Sequence, residues 1–341
     1  MADGIERAAC VGGGVIGSGW AARFVLNGID VSLCDPDPEA GPRAEAVLAN
    51  AGRAYSRLFG DMRPEPGLLR IARSVAEAVD GAGFVQESVP ERLDLKRRVL
   101  AEIDAAAPAG TVIASSTSGL LPSAMQEDMQ RPERILVGHP FNPVYLLPLV
   151  EVVAGRRTAP EAVERACAVY AGLGMKPLVL RKEIDAFIAD RLQEALWREA
   201  LWLVRDGVAT VGEIDDAMRY SFGLRWAQMG VFQTYRLAGG EAGMRHFLEQ
   251  FGPCLALPWT KLTDVPELDG ALTDAIAEQS DRQAAGLSIR ELERVRDNNL
   301  IGILEALEQS APAGWGAGAL LSEARQRMRG RSRGQNTVGR G

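Results

Sequence analysis

Apolar residues follow two rhythms in this chain, and the change falls near residue 183. Before it come short, nearly continuous apolar runs at 7–11, 29–34, 84–87, 112–115, 135–139, 149–153 and 177–180, many of them separated by helix-like stretches such as 92–106 and 160–173. Continuous rather than alternating apolar runs belong to strands covered on both faces. Strands alternating with helices imply a parallel sheet with crossover helices. After 183 strand signals nearly vanish. Ile188, Leu192, Leu196 and Leu203 recur near helical spacing up to Gly207, and Thr210 with Glu213 forms a capping box for a further helix. Helical runs also fit 240–251, 268–285 and 289–307. The pattern predicts an α/β fold: a Rossmann-type doubly wound sheet over residues 1–183, then an all-α C-terminal domain over 184–328. Residues 329–341, where arginines alternate with small or polar residues, read as a disordered tail.

The first strand runs into Gly12-Gly13-Gly14-Val15-Ile16-Gly17, a G-x-G-x-x-G turn that opens a helix. In such a turn the first glycine allows a tight reversal, the second lets backbone approach a pyrophosphate, and the third lets helix pack on strand. The helix N-terminus adds unpaired N–H groups and a positive dipole end. The helix stops at Asn27-Gly28, and the next strand leads into Asp35. That acid lies near the separation of about 20 residues at which a carboxylate meets the adenosine ribose 2′-hydroxyl. A carboxylate there repels a 2′-phosphate, so the cofactor expected is NAD rather than NADP.

Composition narrows the partners. The net charge of −7 argues against general nucleic-acid binding. No run of about 20 apolar residues is present, so no membrane span is expected. The first residues lack the basic and apolar regions of a signal peptide. Cys10, Cys34, Cys167 and Cys254 are scattered, with no C-x-x-C, which fits a reduced, cytoplasmic protein.

The chain has two histidines, His139 and His246. His139 lies in Gly138-His139-Pro140-Phe141-Asn142-Pro143, at the carboxyl end of a predicted strand. Those ends line the ligand crevice of a doubly wound sheet, and an imidazole there can take a proton from a hydroxyl near neutral pH. Glu151 sits inside the apolar run Leu149-Val150-Glu151-Val152-Val153 and needs a buried partner. Paired with His139 it would orient the imidazole and stabilise its protonated form. His246 reads as structural. A serine-rich loop, Ser115-Ser116-Thr117-Ser118-Gly119, follows another strand and belongs at the same crevice.

Taken in order, the glycine turn, the serine loop, the His-Pro-Phe-Asn-Pro segment and the strand bearing Glu151 resemble the 3-hydroxyacyl-CoA dehydrogenase superfamily across residues 5–310. The resemblance implies that His139 and Glu151 form a general-base pair and that Ser118 contacts the substrate oxygen. It also implies that Glu91, Lys96 and Asn142 join the glycine turn and Asp35 in holding NAD. Two departures stand out. Asp190 occupies the position of a substrate-contacting asparagine, and the lysine-bearing segment that meets CoA phosphates is not recognisable in 56–73. Segments 190–201, 222–230, 251–255 and 258–262 are similar to the L-carnitine dehydrogenases within that superfamily. Carnitine is a 3-hydroxy acid bearing a trimethylammonium group, which aromatic faces and a carboxylate suit. Asp190, Trp197 and Trp226 are the substrate-site candidates, with Arg191, Arg198 and Arg225 available for the substrate carboxylate. The activity implied is NAD-dependent oxidation of L-carnitine to 3-dehydrocarnitine by a homodimer with no metal. Rival readings are an L-gulonate dehydrogenase, a 3-hydroxyacyl-CoA dehydrogenase, and a non-catalytic NAD-binding structural protein.

Overall fold

The computed structural model describes residues 4–227, 230–238, 243–251, 257–261, 269–272, 274, 286–309 and 317–338. The described chain forms two compact units: Met1–Phe187 with Leu320–Gly341, and Ile188–Ala319.

The first unit is built on eight strands: β1 (Arg7–Val11), β2 (Asp30–Cys34), β3 (Leu69–Ala72), β4 (Phe84–Glu87), β5 (Val112–Ser115), β6 (Ile135–Pro140), β7 (Leu149–Ala154) and β8 (Lys176–Val179). Their order in the sheet is β3-β2-β1-β4-β5-β6-β7-β8. β1 pairs in parallel with β2 on one side and β4 on the other, so the strand order reverses between β1 and β4. That reversal is the switch point at whose carboxyl-end crevice ligands of such sheets bind. The sheet is doubly wound, as the apolar rhythm predicts. One face packs Trp20 and Phe24 of α1 (Val15–Leu26) and Tyr170 of α6 (Pro160–Gly172) into a single apolar cluster with Phe84, Ala114 and Leu136. The other face carries Val85, Ile113 and Val137 against Leu100 and Ile103 of α4 (Leu93–Ala106). The remaining helices of the sheet's first half are α2 (Ala40–Phe59) and α3 (Val75–Val79), with the short α5 (Pro122–Met125) after β5.

Two details depart from a simple alternating reading. β3 was not foreseen, because Leu69-Arg70-Ile71-Ala72 is an edge strand whose apolar run is interrupted by the exposed Arg70. β6 and β7 are antiparallel. The eight residues 141–148 between them are too few for a crossover helix, since a parallel return needs a dozen or more.

Arg23 of α1 is buried, and its guanidinium donates to four carbonyls: Val144 at 2.5 Å, Leu147 and Leu173 at 3.2 Å, and Gly174 at 3.3 Å. It fastens the glycine-turn helix to the loop that follows β6. Desolvation lowers its pKa from the usual arginine value. On the far side of the sheet, buried Asp104 accepts from Arg134 at 2.7 Å and from the backbone N–H groups of Gln130 and Arg131.

The second unit is helical. Its described helices are α7 (Ala189–Arg205), α8 (Val211–Arg219), α9 (Phe222–Trp226), α10 (Val231–Ala238), α11 (Gly243–Phe251) and α12 (Ile289–Gln309). The capping box read at Thr210 and Glu213 is present in both halves: the Thr210 hydroxyl accepts from the Glu213 N–H, and the Glu213 carboxylate accepts from the Thr210 N–H at 2.8 Å. Cys254, most of the helix predicted over 268–285, and most of segment 251–255 lie outside the described residues. So does the side chain of His246.

The chain closes with α13 (Gly318–Val338). Leu321, Ala324 and Met328 form a buried stripe along it, and the Arg325 Nε donates to the Leu58 carbonyl at 2.7 Å. These contacts place residues 320–341 with the first unit, whereas the sequence ran the helical domain on to 328. The helix also continues to Val338, through most of the segment read as a disordered tail. Among the described residues, no helix is long and apolar enough to cross a membrane, and no cluster of His, Cys, Asp and Glu is set to hold a metal ion.

Candidate active site and coenzyme crevice

The glycine turn closes as the motif requires. A Cβ on Gly12 would stand 2.6 Å from the Ser88 carbonyl, and one on Gly17 would stand 1.8 Å from the Gly12 oxygen. Neither position admits a side chain, so the start of α1 sits flush on the ends of β1 and β4. Gly14 is different: its Cβ would meet no protein atom within 4 Å, which leaves the turn's outer face open. Val15 is exposed beside it, and α1 begins there with no side-chain cap on its N–H groups. Ile16 packs on the core, and Gly13 is buried. Asp35 follows β2 directly. It accepts from the Gly13 N–H at 2.6 Å and from the Asp37 N–H at 2.8 Å. Nearby Arg43 donates to the Gly13 carbonyl and pairs with Asp37 at 3.0 Å, so its charge is already matched. A narrow turn, an uncapped helix start and a carboxylate at the end of β2 fit a dinucleotide.

The catalytic candidates lie on β6 and β7. Antiparallel register makes His139 and Glu151 direct cross-strand partners, so their side chains leave the same face. The His139 Nδ1 is 2.9 Å from the Glu151 Oε2, with the two residues 4% and 0% exposed. The imidazole is walled by Phe141, edge-on at 4.8 Å, and Phe187 at 5.5 Å. Because a carboxylate of this pair only accepts, Nδ1 carries the hydrogen between them. Asn142 is exposed one residue beyond Phe141.

Glu91 gathers the serine loop. Its Oε1 accepts from the Thr117 hydroxyl and from the N–H groups of Ser118 and Gly119 at 3.1 and 3.2 Å. This holds the Ser118 backbone while its side chain stays exposed. Lys96 is only 1% exposed, and its three ammonium donors face the Glu87 carboxylate at 2.9 Å, the Val89 carbonyl at 3.0 Å and Glu91 at 3.5 Å. Lys96 therefore reaches the crevice through Glu91. Glu87 was missed from sequence. It is fully buried at the end of β4 and accepts from Lys96, from the Ser115 hydroxyl at 2.5 Å and from the Val89 N–H at 2.6 Å. The signal that exposed Glu151, an acid inside a continuous apolar strand, is absent at Glu87, which ends its strand between Gln86 and Ser88.

The remaining candidates belong to the second unit. Asp190 lies in the first turn of α7, and Trp197 is seven residues on, so the two share a helix face. Trp197 is exposed, as is Trp226 of α9, whose ring stands 4.5 Å from Phe222. Trp202 differs, since Lys261 covers its ring at 4.1 Å. Arg198 pairs with Glu194 at 3.6 Å.

Residues 7–184 match the NAD-binding domain of 3-hydroxyacyl-CoA dehydrogenases, and residues 187–267 match their C-terminal domain. An L-carnitine dehydrogenase of Mesorhizobium japonicum is 64% identical over 93% of this chain and 87% of its own length. An L-carnitine dehydrogenase from a Pseudomonas species is 55% identical over 90% of this chain and 95% of its own. A longer protein of Rhizobium meliloti, an L-carnitine dehydrogenase/betainyl-CoA thioesterase, is 60% identical, and this chain spans 66% of its length. Among solved structures, an NAD-dependent 5-formyl-3-hydroxy-2-methylpyridine 4-carboxylic acid 5-dehydrogenase aligns over 89% of this chain and 99% of its own, with 28% identity and a TM-score of 0.72. The 3-hydroxybutyryl-CoA dehydrogenase of Escherichia coli aligns over 80% of this chain and 57% of its own, with 25% identity and a TM-score of 0.57.

Proposed function

The chain belongs to the 3-hydroxyacyl-CoA dehydrogenase family and uses NAD, and from that premise we propose that it oxidises L-carnitine to 3-dehydrocarnitine. The observation that carries this reading is 64% identity over 93% of the chain to a relative named for that activity. The absence of a recognisable CoA-binding lysine segment in 56–73 supports a small free acid over a CoA ester.

In this reading the C3 hydroxyl of the substrate lies against His139. Glu151 holds the hydrogen-bearing Nδ1, which leaves Nε2 as the atom that takes the hydroxyl proton, and the carboxylate then stabilises the imidazolium. Phe141 and Phe187 exclude water from the ring and strengthen that pairing. Ser118 holds the substrate oxygen, on a loop set by Glu91. The coenzyme, when bound by the glycine turn, Asp35, Glu91 and Asn142, supplies the hydride acceptor. Asp190 with Trp197 and Trp226 attracts the trimethylammonium group through charge and aromatic faces. We assign the protein a homodimeric state, which the exposed Trp197, Tyr220, Leu224, Phe232 and Trp259 of the helical unit would suit.

Absorbance at 340 nm decides the substrate. With NAD present, L-carnitine should raise it while L-gulonate and a 3-hydroxyacyl-CoA should not. A faster response to either of the latter would overturn the assignment, and no response to any of the three would leave a non-catalytic NAD-binding protein.

A further inference from the structure

A chain of hydrogen bonds runs from the core on one face of the sheet out to the switch point. It starts at Tyr170 of α6, whose hydroxyl donates to the Gln86 Oε1 at 2.8 Å. Gln86 is fully buried on β4, and its Nε2 donates to the Gly138 carbonyl at 3.2 Å and to the Ser116 hydroxyl at 2.8 Å. Trp20 of α1 donates to the same Ser116 oxygen at 3.1 Å. The Ser116 oxygen lies 2.9 Å from the Ser88 hydroxyl.

Donor counting fixes every direction in this chain. A carbonyl only accepts, so the end of the Gln86 amide that faces Gly138 is the nitrogen, and the other end must be an acceptor for Tyr170. Burial raises the Tyr170 pKa well above 10, so its proton stays in place. Trp20 can only donate. A serine oxygen has two acceptor sites, and Gln86 and Trp20 fill both at Ser116. Ser116 must then donate its own proton to Ser88. Ser88 is left with a hydroxyl proton that no described residue is recorded as accepting. It immediately follows β4, half-buried, with its carbonyl against Gly12 and its Cβ 3.3 Å from where a Gly17 side chain would begin. It therefore stands beside the glycine turn at the β1/β4 crevice. The room for the chain is built in as well: a Cβ on Gly138 would lie 1.8 Å from the Tyr170 hydroxyl.

We infer that Ser88 is a further coenzyme-contacting residue, its hydroxyl donating to an oxygen of the dinucleotide, and that Gln86 is the positioning residue that sets this direction from the core. The inference rests on the NAD seat and not on which alcohol is oxidised. Binding of NAD alone to the full-length protein, measured by calorimetry, tests it apart from the substrate assignment. Ser88→Ala should weaken NAD about five-fold, the worth of one neutral hydrogen bond. In turnover the loss should appear in the KM for NAD and not in that for the alcohol. Gln86→Met reopens an acceptor site on Ser116, lets the serine pair reverse, and should weaken NAD in the wild-type background but cost nothing further in Ser88→Ala. Trp20→Phe, which keeps an aromatic ring and removes the other donor to the Ser116 oxygen, serves the same cycle if Gln86→Met does not fold. Wild-type NAD affinity in Ser88→Ala, or an undiminished effect of the core substitutions in the Ser88→Ala background, would overturn the inference.

Discussion

Each polar group in the crevice is set by a second one behind it. Glu151 stands behind His139, Glu91 behind the Ser118 loop, and Glu87 behind Lys96. Removing the group in front costs the chemistry, and His139→Ala should lower turnover by at least about 10²–10⁴-fold. Its NAD affinity, read by calorimetry, should stay close to wild type because the glycine turn lies on other strands. Full turnover in that variant would show that the imidazole is not the base. Cys10 illustrates the opposite case. Burial pushes its thiol up to about 12, so the native protein should resist alkylation there at pH 8, with the site labelling only after denaturation. Labelling by iodoacetamide and mass spectrometry reads this directly.

At the scale of the element, the register between β6 and β7 creates the His139–Glu151 pair. A one-residue slip would turn every side chain of one strand to the opposite face. The pairing was legible in the sequence because both residues lie in strands with continuous apolar flanks. The antiparallel sense was not read, because the alternating rhythm pointed to a parallel sheet; the shortness of 141–148 was the signal that carried it. What single positions could not reveal was the Gln86 chain, since its members come from four separate elements and none forms a motif. Glutamine in a strand signals nothing until Tyr170 and Ser116 are brought to it. Helix termini follow local rules closely. Thr210→Ala removes the cap acceptor for the Glu213 N–H while leaving the backbone N–H that donates to the Glu213 carboxylate, and should destabilise the protein by about 1 kcal/mol, seen as a lower denaturation midpoint. On α7, Asp190 and Trp197 share one face. Asp190→Asn should therefore weaken a trimethylammonium substrate more than a neutral 3-hydroxy acid, as the ratio of kcat/KM values would report. An equal loss on both would show that Asp190 does not read charge.

For the whole molecule, two buried acids of the weak kind set the alkaline limit. The Cys10 thiol is raised to about 12 and the Tyr170 hydroxyl well above 10, both mainly by desolvation. The unfolded chain releases these protons near the ordinary values, and the folded one retains them. Stability is thus fully present below about pH 9 and is lost as pH rises from there towards 12. Denaturant midpoints measured across that window should fall steadily, and replacing Cys10 with Ala should flatten part of the slope. The division into units also explains where sequence reading ran short. The end of the chain returns to the first unit through Leu321, Ala324 and Met328, a contact between segments hundreds of residues apart that no local rhythm announces.

Arg23 joins the helix that opens at the glycine turn to the peptide that leaves β6, through carbonyl oxygens alone. Backbone oxygens are offered by every amino acid, so the sequence of that peptide can drift while the anchorage persists. The strand that bears His139 and the helix that opens at the glycine turn are thereby held together by contacts that side-chain changes in that peptide leave alone.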